Sequence, residues 1–248
     1  MTISTAVIIA AGMGTRLPER AHLHPKGFIE IGDRPIIEES LKNLLSVGIT
    51  RIIIVTGHLA HYYEDLASHH PDLVEIIHNP DFADTGSMLS VTCAEPAIEE
   101  DFLLLESDLL YERRALVELL EHQNRDIVLM SGWTHSGDEV WIETRGDLLV
   151  NMSKQRSDLG SIAGELVGIC KISPPLFKEM CNDARIQQVS NPKYCYETGC
   201  LVSVADTYPI HCHRIDNLLW TEIDNATHLR RAYDLIYPRI QEVDEAFA

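Results

Sequence analysis

The sequence contains no apolar run that approaches the roughly 18 residues of a membrane-spanning helix. Its first residues also lack the basic region, apolar stretch and small-residue cleavage site of a secretory signal. Nothing in the pattern therefore predicts a membrane partner or export, and we expect a cytoplasmic protein.

Basic residues are scarce: 20 Lys and Arg stand against 38 Asp and Glu, for a net charge of −18. Such a charge repels nucleic acid unless a local basic patch overrides it, so we expect no nucleic acid partner. An anionic ligand would need a concentrated cluster of cations and backbone N–H groups. The best candidate stretch carries Arg16, Arg20 and Lys26. Composition leaves the oligomeric state open, with a homodimer as one alternative.

Paired cysteines are also absent, since none of the six has Cys-x-x-Cys spacing. Without an export signal we expect reduced thiols that behave as small core residues. His211-Cys212-His213 has the residue types of a metal site. The alternation of apolar residues from Tyr208 to Ile215 instead predicts a strand with both histidines on its solvated face.

The first half alternates apolar strand runs with helical periodicity, which predicts a mostly parallel sheet covered on both faces. We expect strands at 6–10, 51–55, 73–77, 102–105 and 126–130, and helices at 35–47, 60–69, 87–94 and 111–122. After residue 131 the pattern predicts an antiparallel hairpin of 139–143 with 148–152. It further predicts strands at 165–172, 208–215 and 220–223, helices at 174–181 and 226–243, and a loop at 186–194, and leaves 200–204 open between helix and strand.

These elements predict an α/β fold with a Rossmann-like, mostly parallel sheet and an antiparallel lid or insertion in the second half. No repeat or linker interrupts the chain. We expect a single domain over residues 1–248. Its nucleotide-binding part would cover about 1–131, and its substrate-binding part about 132–248 with a C-terminal helix.

Two glycines, Gly12 and Gly14, follow the first strand directly. Glycine accepts positive φ and lets the backbone approach a ligand closely. Ligands of open α/β sheets bind beyond the carboxyl ends of strands, and turn N–H groups there form a concavity for phosphate. A dinucleotide fingerprint would need a third glycine where Leu17 stands, and the Gly-Lys-Ser/Thr of a P-loop is absent. The two glycines alone are equally consistent with a phosphate-binding turn and with a turn that has only a structural role.

The run Ala10-Ala11-Gly12-Met13-Gly14-Thr15-Arg16, followed by Pro25-Lys26, resembles the signature of the nucleotidyltransferases. These enzymes join a nucleoside monophosphate to a phosphorylated small molecule and release pyrophosphate. The resemblance implies that Arg16 pairs with the β- and γ-phosphates and that Lys26 contacts the reacting phosphate. It also implies that the turn holds the nucleotide through Ala10, Ala11, Gly12, Gly14 and Thr15.

Two aspartates at strand ends, Asp108 and Asp224, suit the Mg²⁺ that such a reaction calls for. Either one alone is more often a helix N-cap than a metal ligand. With the opening motif they match the family's two metal-binding aspartates, so the resemblance implies a Mg²⁺ site. Lys154 would be a further cation over the phosphates, although a solvated surface lysine is the simpler alternative.

Residues 104–112, 136–140, 164–169 and 220–224 look like the cytidylyltransferases of small amino-bearing substrates. The similarity is greatest to the branch that acts on 2-aminoethylphosphonate, whose relatives act on phosphocholine. It implies CTP and 2-aminoethylphosphonate as substrates. It also implies contacts to the cytosine along a stretch that begins at Asn79 and ends at Ser87.

A primary ammonium calls for carboxylates, and a trimethylammonium calls for an aromatic box. The second half offers both kinds of side chain, and the low aromatic content of 6% mildly disfavours a rich box. The expected substrate contacts are Asp138, Glu139, Trp141, Glu165, Tyr196 and Glu197. Phosphocholine, phosphoethanolamine or a sugar phosphate as acceptor, and a nucleotide sensor without catalysis, remain alternatives.

Overall fold

A computed structural model of the protein describes residues 3–14 and 24–246. The first half contributes strands β1 (Thr5–Ala10), β2 (Glu30–Ile31), β3 (Arg34–Pro35), β4 (Arg51–Thr56), β5 (Val74–His78), β6 (Phe102–Glu106), β7 (Leu109–Tyr111) and β8 (Ile127–Ser131). Its helices are α1 (Ile36–Ser46), α2 (His61–His69), α3 (Ser87–Cys93) and α4 (Arg114–Glu121).

The second half contributes strands β9 (Trp141–Arg145), β10 (Leu148–Ser153), β11 (Gly164–Ile172), β12 (His211–Ile215) and β13 (Trp220–Glu222). Its α-helices are α5 (Pro174–Gln187), α6 (Val202–Ala205), α7 (Ala226–Arg231) and α8 (Tyr237–Ala246). Two π-helical segments, Tyr196–Leu201 and Ala232–Ile236, precede α6 and α8.

One nine-stranded sheet runs through both halves in the order β5-β4-β1-β6-β11-β8-β12-β10-β9. Strands β5, β4, β1 and β6 are parallel, and β11 is antiparallel to both β6 and β8. The predicted α/β fold is confirmed, and its sheet is mixed: β5, β4, β1 and β6 form the parallel part, and most pairings of the second half are antiparallel. The hairpin of β9 and β10 belongs to this same sheet: β10 pairs with β12, and β9 pairs with the interior strand β11.

The central strands are apolar at successive positions because helices cover both faces of the sheet. Val7 belongs to the core that contains Val91 of α3, and its neighbour Ile8 belongs to the core that contains Leu44 of α1. All four side chains have no exposed surface. Burying each of them stabilises the fold by about 1.5–3 kcal/mol.

The short strands β7 and β13 position the far end of the chain beside the parallel strands. Glu222 pairs with Leu109, and the backbone N–H of Ile223 donates to the carbonyl of Asp108 at 3.1 Å. The segment after β13 is therefore held at the carboxyl end of β6, where the turn after β1 also lies. This pairing brings residues from both ends of the chain to one edge of the sheet.

Three local predictions differ from the structure. The helix expected from residue 111 begins at Arg114, because Leu109–Tyr111 pairs with β13. The helix expected over 174–181 continues to Gln187, since Ala184 is buried in the core, so the loop starts later than predicted. Residues 200–204 are helical, and they cover β10 rather than joining the sheet.

The histidines of the predicted β12 strand lie on one face, as their spacing indicated. Cys212 is buried, while His211 and His213 are half-buried and contact Asp147 and Glu118, each at 2.8 Å. In the portion of the chain that the structure describes, they are not among the side chains whose ligand atoms cluster as a metal site requires. No helix of that portion is long and apolar enough to cross a membrane.

Candidate active site

Two adjoining cavities open at the carboxyl edge of the parallel strands. The first, of about 310 Å³, we call the glycine-turn cavity. The second, of about 110 Å³, we call the acidic cavity. Glu106, at the end of β6, lines both of them.

The turn after β1 forms one wall of the glycine-turn cavity through Ala10, Ala11, Gly12 and Gly14. Gly14 has a φ of +62°, which favours glycine, and open space surrounds the position that a Gly12 side chain would take. The predicted contacts Thr15 and Arg16, together with Arg20, lie outside the described residues. The described part of the turn therefore presents exposed backbone to the cavity.

Lys26 is held at the centre of the site by close packing of the residue that follows it. A Cβ atom on Gly27 would lie 2.8 Å from the Tyr63 hydroxyl and 2.9 Å from the Ser107 carbonyl, so only glycine fits. From there the Lys26 ammonium donates to Asp108 Oδ2 at 2.7 Å and to Asp224 Oδ1. The two aspartates predicted from distant parts of the sequence thus meet on one lysine.

The charges of this triad stabilise one another. Burial of Lys26 works against its charge, but Asp108 and Asp224 outweigh that effect and raise its pKa above the ordinary value. Burial likewise works against the ionised form of Asp224, and the attraction of Lys26 prevails and lowers its pKa. The lysine and Asp224 are therefore both charged at neutral pH.

Asp108 of the triad also belongs to an acidic cluster with Glu106 and Glu222. Ligand oxygens of these three residues all lie within 4.8 Å of one another. Burial, together with neighbouring carboxylates, raises the pKa values of Glu106 and Glu222. Carboxylate oxygens at this spacing fit Mg²⁺, whose charge would relieve the repulsion among them.

The sequence analysis missed Glu106 and Glu222 as members of the site. Each stands two residues before a predicted aspartate, in Glu106-Ser107-Asp108 and Glu222-Ile223-Asp224. The repeated Glu-x-Asp spacing at two strand ends was the signal that could have identified them. Period-two alternation places the first and third residues of such a segment on the same side of the chain.

The acidic cavity contains four of the predicted substrate contacts together with Lys154. The four acids on its wall are Asp138, Glu139, Glu165 and Glu197. Lys154 is half-exposed and pairs with Asp138 at 2.9 Å. Ser87, on the wall of the glycine-turn cavity, donates to Glu197 at 3.3 Å and so connects the two spaces.

Glu165 is the most deeply buried acid of this cavity, with 1% of its surface exposed. Its two carboxylate oxygens accept from the Thr134 backbone N–H at 2.8 Å and the Thr134 hydroxyl at 2.7 Å. Burial raises its pKa to about 7 even though these hydrogen bonds favour the ionised form.

Three predicted nucleotide or substrate contacts line neither cavity, and the predicted metal ligand Asp224 also lines neither. Asn79 is fully buried and braces its own loop, because it donates to Ser90 Oγ and accepts from the Asp81 N–H, both at 3.0 Å. Tyr196 is also fully buried, and its hydroxyl donates to Glu106 at 2.8 Å. The ring of Trp141 lies under the Arg156 guanidinium, 4.1 Å from the ring centroid, and against Trp133.

Other wall residues were not anticipated from the sequence. Ser90 lines the glycine-turn cavity, and Thr134, His228 and Arg231 line the acidic cavity. No spacing pattern marks them, since each reaches the wall only through the packing of its element.

Comparison with known proteins identifies the family. The profile of the MobA-like NTP transferase domain matches residues 6–145. Among solved structures, the inositol-1-phosphate CTP transferase from T. maritima superposes with a TM-score of 0.82 at 19% identity, covering 98% of both chains. At that identity the likeness shows a shared fold.

Three curated relatives match at low identity. A CMP-5'-(3-aminopropyl)phosphonate synthase from Streptomyces rubellomurinus is 34% identical over 46% of this chain. The matched segment spans 18% of that protein's length. A choline-phosphate cytidylyltransferase from Haemophilus influenzae is 26% identical over 78% of this chain and 81% of its own. A 2-aminoethylphosphonate cytidylyltransferase from Lancefieldella rimae is 25% identical over 65% of each chain.

Proposed function

The chain belongs to the MobA-like NTP transferase domain family, and from this premise we propose that it is a Mg²⁺-dependent cytidylyltransferase for 2-aminoethylphosphonate. The predicted class, nucleotidyltransferase, is confirmed at the level of the family. The observation that carries the proposal is the meeting of Lys26, Asp108 and Asp224 beside the glycine turn, next to an acid-lined cavity.

The nucleotide would occupy the glycine-turn cavity with its phosphates against Ala11, Gly12 and Gly14. A phosphonate oxygen of the acceptor attacks the α-phosphorus of CTP, forming a new P–O–P linkage. The bond between the α-phosphorus and the bridging oxygen breaks, and its electron pair leaves with pyrophosphate. The products are CMP-2-aminoethylphosphonate and pyrophosphate, with no covalent enzyme intermediate.

Charge neutralisation is the main demand of this reaction, because two anions must approach each other. Asp108 and Asp224, with Glu106 and Glu222 beside them, would hold Mg²⁺, which supplies positive charge to the reacting phosphates. Lys26 donates to a phosphate oxygen in place of its present carboxylate partners. Lys154 and Arg16 would add further positive charge along the phosphate chain.

The acidic cavity supports an acceptor with an ammonium group. A primary ammonium has three donors, and the carboxylates of Asp138, Glu139, Glu165 and Glu197 line the space beside the site of attack. Trp133 and Trp141 do not line the acidic cavity and stack with Arg156, which leaves Trp220 as the one tryptophan among its described wall residues. This arrangement favours 2-aminoethylphosphonate over phosphocholine.

The proposal is tested by pyrophosphate release from CTP with 2-aminoethylphosphonate, phosphoethanolamine and phosphocholine, each alone and in competition. We expect the highest kcat/KM with 2-aminoethylphosphonate, a preference for CTP over other nucleotides, and loss of turnover when EDTA removes Mg²⁺. A higher kcat/KM with phosphocholine would instead identify the protein as a phosphocholine cytidylyltransferase.

Asp108→Asn tests the metal assignment, because this substitution preserves the shape of the side chain and removes one charge from the triad. We expect its kcat to fall by about 100-fold or more while the melting temperature changes little. Near-normal turnover in this variant would refute the metal assignment. CTP binding by the unaltered protein without product from any acceptor would favour the nucleotide-sensing alternative.

A further inference from the structure

A third cavity, of about 370 Å³, adjoins the acidic cavity on the side away from the glycine turn. Three arginines, Arg214, Arg231 and Arg239, line it, and we call it the arginine cavity. Asp216 is the one acid among its described wall residues. Such a concentration of positive charge is unexpected in a chain whose net charge is −18.

Arg231 stands in the wall between the acidic and arginine cavities, together with Thr134 and Trp220. It is the last residue of α7, and it lines both spaces. Among the described residues it makes no ion pair, and its Nη1 atom is buried without a hydrogen-bond partner. A guanidinium that lines a cavity and makes no ion pair is suited to an anion, above all to a carboxylate that can bridge two of its nitrogens.

Glu165 interacts electrostatically with Arg231, and both Glu165 oxygens accept hydrogen bonds from Thr134 rather than from this arginine. Arg214 differs from Arg231, because it pairs with Asp216 at 2.8 Å and with the Ala163 carbonyl. Arg231 is therefore the arginine of this cavity that lies next to the acceptor and retains binding capacity.

Each of the three cavities presents at least one cation beside its acids. Lys26 stands at the first, the four acids at the second, and Arg231 between the second and the third. We infer that the preferred acceptor carries an anionic carboxylate beside its ammonium, and that Arg231 binds this carboxylate. The inference rests on the proposed cytidylyl transfer, and it extends the acceptor class from 2-aminoethylphosphonate to aminoalkylphosphonates that also carry a carboxylate.

A comparison of two acceptors that differ only by a carboxylate tests its contribution to kcat/KM. 2-Amino-3-phosphonopropionate has the same spacing of phosphonate and ammonium as 2-aminoethylphosphonate and adds a carboxylate on the amine-bearing carbon. We expect its kcat/KM to be about 30-fold higher or more, chiefly through a lower KM. In Arg231→Met the ratio of the two kcat/KM values should fall toward one, and Arg231→Lys should retain part of it.

Arg230→Met is the matched control, because Arg230 is the neighbouring residue on α7, is exposed and lines none of the three cavities. This variant should keep both the activity and the ratio of the unaltered protein. A purely structural role of Arg231 would lower turnover of both acceptors equally and leave the ratio unchanged, which would overturn the inference. The partly conservative Arg231→Lys keeps the test decisive if Arg231→Met does not fold.

Failure of the inference differs from failure of the proposed function. If both acceptors release pyrophosphate from CTP with a ratio near one, the carboxylate site is refuted and the cytidylyltransferase stands. If neither acceptor nor phosphocholine releases pyrophosphate, the proposed function is refuted and the inference falls with it.

Discussion

At the scale of single residues, the site combines side chains whose charges would be costly alone. Asp224 has no exposed surface, and Lys26 is largely buried. A lone buried charge is strongly unfavourable, whereas this lysine and its two aspartates neutralise one another. The arrangement leaves Lys26 charged and placed where a phosphate oxygen could replace one of its partners.

At the same scale, the pKa of Glu165 makes the free energy of unfolding depend on pH. Its pKa is about 7 in the folded protein and near the ordinary 4.5 in the unfolded chain, chiefly because of burial. Between these values the folded state holds a proton that the unfolded state releases, so stability decreases as the pH rises through this window. Its charged neighbours Glu139 and Arg231 act in opposite directions on this pKa.

Glu165→Gln should therefore flatten the pH dependence of stability. From pH 5 to pH 8 the unaltered protein should lose about 2–3 kcal/mol more unfolding free energy than the variant does. Urea unfolding at both pH values measures the difference. Parallel pH profiles for the two proteins would contradict the prediction.

At the scale of elements, the helix after β13 connects both sides of the substrate region. Asp224 lies two residues before the start of α7, and Arg231 ends the helix. The N-cap Asn225 accepts hydrogen bonds from the N–H groups of Thr227 and His228, at 2.9 Å and 3.0 Å. α7 has only six residues, and this cap pairs two of the four N–H groups that have no partner within the helix at its start.

Asn225→Ala should lower the unfolding free energy by about 1 kcal/mol, within a range of about 0.5–2 kcal/mol, since it leaves those two donors unpaired. Asn225→Ser is the matched control, because serine also caps helices and should recover most of the loss. Urea unfolding of the three proteins measures both effects. Equal stability of the alanine and serine variants would contradict the assigned role of the cap.

At the scale of the whole molecule, the central sheet joins the two halves of the chain. Strand β11 lies between β6 and β8, so residues 164–172 complete a sheet begun by residues 102–106 and 127–131. If either half were removed, apolar strand surface of the other half would be exposed to solvent. This architecture supports the prediction of one domain over the whole chain.

Unfolding should accordingly be a single cooperative transition. All three tryptophans, Trp133, Trp141 and Trp220, belong to the second half, so their fluorescence reports on that half alone. Far-UV circular dichroism reports on both halves, and we expect its urea midpoint to coincide with that of the fluorescence. Two separated midpoints would show that the halves unfold independently and would refute the single domain.

Much of the fold could be predicted because local patterns carried it. The continuous apolar runs of β1, β4 and β6 and the helical spacing of α1 placed these elements within a few residues. Prediction was weakest where a distant partner decides the structure. Leu109–Tyr111 reads as the start of a helix and becomes a strand through its pairing with β13.

The site shows the same division. The glycine turn, Lys26, Asp108 and Asp224 were identifiable because their residue types and spacing match a known signature. Asn79 and Tyr196 have suitable polar groups, but the structure uses those groups to brace buried neighbours. A sequence records which groups are present, whereas burial and hydrogen bonding determine which of them still face a ligand.

By itself the sequence determined the α/β class, the glycine turn and the identity of the residues that meet beside it, because these depend on local periodicity and a short motif. Only the tertiary structure decided that Glu106 and Glu222 complete the acidic cluster and that Arg231 stands between the acidic and arginine cavities. Such placements depend on the pairing and packing of segments far apart in the chain, and no local spacing specifies them.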